Sequence, residues 1–267
     1  MTVSSLDLSG LRPDSIRDDD EMFLLATSAS FVESGSDTYT GNLVEYFAGD
    51  AEVTQWLRTR WEPEELSHGR MLRAYVERVW PELDWQAAYD GFFADYVNLC
   101  TMQSLEATRG QEMAARCVVE MGTTVYYTAL HEACREPVLR DLAWRIRSDE
   151  VNHYKHFYAF FQKYRDSERL GRGRVLAALA RRALELRSED ATIALRHATA
   201  WRRRTRPGTP ANASLEAMAQ RAIGVVNRHV PMDLAVRMLL KPLQLQPRWQ
   251  RAVAPPLVSI GRGLILR

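Results

Sequence analysis

What this sequence lacks narrows the field first. It has three cysteines, Cys100, Cys117 and Cys134, an odd number with no Cys-x-x-Cys among them. That argues against a disulfide framework or a thiolate metal knuckle; thiols set inside helical patterns read as reduced core residues of a reducing compartment. No apolar run is long enough to span a bilayer, so no transmembrane helix is expected. Residues 1–20 are polar and acidic (Asp14, Asp18, Asp19, Asp20) and hold no signal-peptide core. The simplest expectation is a cytoplasmic protein with a loosely ordered leader over 1–20. No solenoid repeat and no convincing strand pattern occurs, and nothing points to a nucleic-acid partner.

What is present is the composition of a folded globular chain, 46% hydrophobic over 267 residues. The net charge of +1 conceals a split. Residues 166–267 carry 19 Lys+Arg against 7 Asp+Glu, and residues 1–165 carry 16 against 27. The front is acidic and the back third basic, which predicts an anionic partner for the back third, including contact with a membrane surface.

Apolar periodicity near 3.6 predicts helices throughout. The first covers Glu21 to about Ala48. The second runs from about Ala51, with Asp50 as N-cap, to Val79, kinked or divided by Pro63. Asp84 caps a third from Trp85 to about Leu105. Thr108 caps a fourth that reaches Ala133, and Glu136-Pro137 opens a fifth that reaches about Tyr164. A basic amphipathic helix covers 170–187. Ser188-Glu189-Asp190 caps another that ends in Trp201-Arg202-Arg203-Arg204. A linker over 205–212 precedes a helix capped by Ser214, and the pattern is irregular beyond Pro231. The fold class is all-α: a bundle over 21–165 with additional helices over 166–267, packed on or beside it.

The chemistry lies in one spacing. Glu65 and His68 stand three apart, so a helix presents both on one face. The pair recurs as Glu150 and His153. Glu33 and Glu120 stand alone on helical faces that are otherwise apolar or small. The order Glu, Glu-x-x-His, Glu, Glu-x-x-His, one set per helix, is that of di-iron and di-manganese carboxylate bundles. Four carboxylates buried together would repel or take up protons. Two dications cancel four negative charges, and mixed oxygen and nitrogen donors suit iron or manganese better than structural zinc.

The surrounding residues resemble a known family. Trp61, Glu64, Glu65, His68 and Gly69, followed by Asp149, Glu150 and His153, are similar to the motifs of soluble acyl-acyl-carrier-protein desaturases, within the ferritin-like di-iron carboxylate superfamily. The resemblance covers about 21–165. It implies two irons held by Glu33, Glu65, His68, Glu120, Glu150 and His153, with Glu65 and Glu150 bridging. Asp149 would orient a ligand histidine, and Thr123 would supply a hydroxyl beside the metals. It further implies dioxygen as co-substrate, an acyl carrier protein or acyl-CoA substrate docked on the basic segment, a ferredoxin-type electron donor and a homodimer. Phe92, Phe93, Tyr96, Phe157, Phe160 and Phe161 would be candidates for the wall of an acyl tunnel. Val118-Val119 and Tyr126-Tyr127 depart from the family's segment. The rival expectations are a di-iron monooxygenase or N-oxygenase, disfavoured by Ile146 where a further histidine would stand, a non-enzymatic iron-binding protein and a lipid-binding bundle.

Overall fold

The computed structural model describes residues 6–185, 190–206 and 214–265. Among them the regular structure is all helical, and no helix is long and apolar enough to cross a membrane. Four helices surround the acidic cluster: α1 (Asp20–Ser34), α4 (Glu62–Val79), α6 (Arg109–Ala133) and α7 (Pro137–Ser167). α1 and α4 run antiparallel. Phe23 meets Trp80 edge-on at one end, and Ser34 meets Gly69 at the other. α6 and α7 form a hairpin across the turn at Cys134–Glu136. Thr108, the expected cap, accepts from the Gln111 amide, and Glu136, expected only to open α7 with Pro137, caps it by accepting from the Leu139 amide.

Several expected helices are subdivided. The run expected over 21–48 breaks at Gly35 into α1 and α2 (Ser36–Tyr46). The Tyr96 ring lies 2.9 Å from where a Gly35 Cβ would stand, so only glycine lets that ring close over the break. The run over 51–79 divides into α3 (Ala51–Trp56), a widened π turn over Leu57–Trp61, and α4. Pro63 falls in the first turn of α4, where its missing N–H costs little. α5 (Trp85–Tyr96) stops earlier than expected. Residues 6–19 are docked rather than loose. Ile16 is buried, the Arg12 amide donates to Glu136, and the Trp80 indole donates to the Arg17 carbonyl.

The C-terminal helices belong to the same two apolar cores as the first five expected helices. α8 (Arg172–Glu185) places Val175 and Leu179 beside Met113, Cys117 and Phe157. α9 (Asp190–Thr205) and α10 (Leu215–His229) place Leu195, Ala198 and Met218 beside Phe23, Phe31 and Tyr127. The irregular stretch beyond Pro231 forms α11 (Met232–Leu240) and α12 (Pro247–Ile265), the latter with Pro255 and Pro256 inside it. Ser214 caps α10 as expected. The expected Ser188-Glu189 part of the cap on α9, and most of the expected 205–212 linker, lie outside the described residues.

Much of the basic charge faces inward to the acidic half. Arg202 is 2% exposed and is held by Asp20, Glu82 and the Arg17 carbonyl. Arg206 pairs with Asp18 and Asp20, Arg221 with Glu21, Arg181 with Glu106, and Arg196 with Asp95. Within the basic segment expected to meet an anionic partner, Arg202 is therefore spent internally: it ties α9 to the start of α1.

Candidate metal centre

Each candidate ligand rides on a helix that also buries apolar side chains, with polar exceptions that include Thr27, Ser28 and Ser30 on α1 and Glu112, Arg116 and Thr124 on α6. Glu33 sits in the last turn of α1, Glu65 and His68 in the first half of α4, Glu120 mid-way along α6, and Glu150 and His153 mid-way along α7. All six are buried, between 1% and 7% exposed. Their donor atoms converge in two overlapping sets. Glu33, Glu65, His68 and Glu150 form one, and Glu65, Glu120, Glu150 and His153 the other, with one donor atom of each residue within 4.8 Å of the rest of its set. Glu65 and Glu150 belong to both.

The histidines are arranged alike. His68 turns Nδ1 inward, 3.4 Å from Glu150, 3.8 Å from Glu33 and 3.9 Å from Glu65. Its Nε2 lies 3.2 Å from Asp149. His153 turns Nδ1 toward Glu65, Glu120 and Glu150 at 2.9, 3.5 and 3.8 Å, and its Nε2 lies 2.9 Å from Glu64. The acid that precedes the shared glutamate on each helix thus holds the imidazole of the other helix. An Nε2–H donated outward leaves the Nδ1 lone pair facing the cluster, the tautomer a metal ligand needs. Glu64 is in turn paired with Arg60 at 2.6 Å.

The electrostatics are those of a site short of positive charge. Burial, then the charges of Glu150 and Glu33, push Glu65 well above the ordinary carboxylate range. Burial pushes Glu120 up to about 8 against the pull of His153. Burial also acts on Glu150, but the adjacent His153 and His68 outweigh it and hold that carboxylate low. Burial would lower both histidines, yet their carboxylate neighbours raise them. Without metal, the cluster is made tolerable by protons.

Four buried atoms of the cluster make no hydrogen bond: His68 Nδ1, His153 Nδ1, Glu120 Oε2 and Glu150 Oε1. Such atoms are costly unless something else takes their lone pairs. Two divalent cations among these donors would satisfy them and balance four carboxylates, so the residues fit a pair of metal ions. The donor set alone does not choose between iron and manganese.

The neighbours fix the ligands in place. The Thr123 hydroxyl lies 2.7 Å from Glu150 Oε2 and 3.2 Å from the Glu120 carbonyl, so it holds a shared carboxylate as well as its own helix. Tyr127 donates a short hydrogen bond to Glu33. Trp56 and Trp61 set ring edges against His153, at centroid distances of 6.4 and 6.5 Å. A Cβ on Gly69 would come within 2.7–2.9 Å of Ser34 atoms, backbone included, so glycine lets α4 approach α1 where His68 faces Glu33. Spacing alone does not single out Tyr127. Glu64 had one signal, its place before Glu65 matching that of Asp149 before Glu150.

The candidate tunnel residues divide between the two cores. Phe92 stacks on Phe31 and Tyr96, while Phe157, Phe160 and Phe161 pack in the other core, the first two edge-on to Trp56. Two surface pockets of about 510 and 440 Å³ lie at the C-terminal helices, and neither is lined by a residue of the cluster. No family model matches this chain, and no curated protein matches it.

Proposed function

We propose that this protein is a ferritin-like di-metal carboxylate oxidase that binds two irons and uses dioxygen, with an acyl group on carrier protein or coenzyme A as its leading substrate class. The observation that carries the reading is the sharing of Glu65 and Glu150 between two three-carboxylate, one-histidine sets. Manganese is the alternative metal. Bound iron would supply dioxygen activation and the oxidising power to remove hydrogen from a methylene, with electrons from a ferredoxin-type donor.

The chain's own residues would do the rest. Asp149 and Glu64 fix the imidazole tautomers and keep Nδ1 inward. Thr123 carries an exchangeable proton beside Glu150, at the half-buried edge of α6. Tyr127 holds the free oxygen of Glu33, and the packed aromatics around Trp61 exclude water.

A second reading, a di-metal monooxygenase acting on a small substrate, is favoured by the close packing of the candidate tunnel aromatics. Metal analysis is the first test: about two ions per chain are expected. Dioxygen uptake by the ferrous-loaded protein follows, then mass spectrometry of products from acyl carriers supplied with ferredoxin and reductase. Fewer than one ion per chain with no dioxygen uptake would sink the oxidase reading. Uptake without an alkene product would move the case to the second reading.

A further inference from the structure

The described residues expose six large apolar side chains, and four of them lie on two helices: Leu176 and Leu184 on α8, Trp249 and Ile260 on α12. At about 100° per residue, Trp249, Ala252, Pro256 and Ile260 fall on one stripe of α12, opposite the side that packs Ala254, Leu257 and Val258 inward. On α8 the same construction puts Leu176, Ala177, Ala180 and Leu184 on one outward stripe, opposite buried Val175, Ala178 and Leu179. Arg172, at the start of α8, donates to the carbonyls of Leu243 and Gln244, in the turn that precedes α12.

Charge decides what could cover these stripes. From Leu234 onward the sequence holds six Lys+Arg and no Asp or Glu. Arg248 borders the α12 stripe and the exposed Arg251 lies about 60° further round on the same side; neither has a carboxylate partner among the described residues, and Arg248 lies over the Trp249 ring. Asp233, which lines a pocket with α12 residues, is paired with Arg262. Docking a second copy face to face would set these arginines against one another. Pro255 and Pro256 remove the N–H partners of the Arg251 and Ala252 carbonyls, which then need water or polar headgroups. A Trp/Ile/Leu stripe edged by arginine with a part-hydrated backbone suits a helix lying shallowly in a headgroup layer.

We propose that the outward faces of α8 and α12 dock this protein on an anionic lipid bilayer, with Trp249 and Ile260 at the acyl boundary and Arg248 and Arg251 on lipid phosphates. The inference is independent of the metal centre. The test is co-sedimentation of the full-length protein with phosphatidylcholine vesicles, with and without phosphatidylglycerol, at about 0.1 and about 0.5 M salt. Binding to the anionic vesicles is expected, weaker at high salt, with a blue-shifted fluorescence component that Trp249→Phe removes. Trp249→Ser and Ile260→Ser should each weaken partitioning roughly tenfold. Arg248→Gln with Arg251→Gln should weaken it roughly 20-fold. Leu184→Ser, on the other helix, should weaken it with circular dichroism unchanged, which separates docking from folding. No binding to anionic vesicles overturns the proposal. So does a dimer in light scattering that Ile260→Ser converts to monomer, or capture of an acidic protein without vesicle binding.

Discussion

The acidic centre and the arginine-rich C-terminal third are both conspicuous in the sequence, and they use charge in opposite ways. In the centre, like charges are forced together on four helices and left with unsatisfied lone pairs aimed at one point. In the C-terminal third, many arginines meet an opposite partner from the first half of the chain, as at Arg202 and Asp20. Concentrated charge of one sign therefore signals a ligand only where folding fails to cancel it. That criterion selects the candidate metal centre. It also leaves Arg248 and Arg251, with the apolar stripe beside them, as the surface worth pursuing.

The sharpest way to break the comparison is to remove a shared ligand. Glu65→Ala should abolish both metal ions, whereas Glu120→Ala should spare the ion on the Glu33 side, leaving about one per chain by elemental analysis. Equal occupancy in the two variants would show that the sets do not overlap as the geometry indicates. Next in size is the internal pairing of the basic third. Arg202→Ala should cost about 3 kcal/mol in denaturant unfolding, since it strips a buried cation from its carboxylates. Arg196→Ala, whose pair with Asp95 is solvent exposed, should cost under about 1 kcal/mol.

A pH scan tests the centre without mutation. Glu65, Glu120 and both histidines have raised values in the folded, metal-free protein. Such groups favour the fold at low pH and lose that contribution as pH rises through their folded values. For Glu120 the window is from about 4.5 to about 8. Glu150, held low, acts only below this window. Thermal midpoints of metal-free protein should therefore fall by roughly 5 °C or more between pH 5 and pH 8, and added metal should flatten the slope. The smallest effect expected is that of the outer acids: Asp149→Asn or Glu64→Gln should weaken metal binding about 10- to 100-fold with the fold intact.

Glu65, His68, Glu150 and His153 were legible as candidates because a three-residue step on a helix fixes a shared face whatever the helix packs against, and Glu33 and Glu120 because each is a lone carboxylate on its helix face. The caps at Asp50, Asp84, Thr108 and Ser214 were legible for a similar reason, each being a local bond. Glu64 was harder to read because its partner, His153, lies on another helix, and only the antiparallel pairing of α4 with α7 brings them together. The break at Gly35 depends on a ring from α5. The role of Arg202 depends on the docking of α9 beside the start of α1, which no periodicity in either segment announces.

The widened turn over Leu57–Trp61 has a consequence for how length and facing relate in this helix. Val53 and Trp61 are both buried in the same apolar core. Wound as a straight α-helix, the run between them would end about 80° out of phase. The Glu62 amide reaches back five residues to Leu57, and that loop absorbs the surplus. The strand of helix thus holds one residue more than its facing requires, so the loss of a single residue there would straighten it without turning Glu65 and His68 away, while the gain of one would rotate both toward solvent.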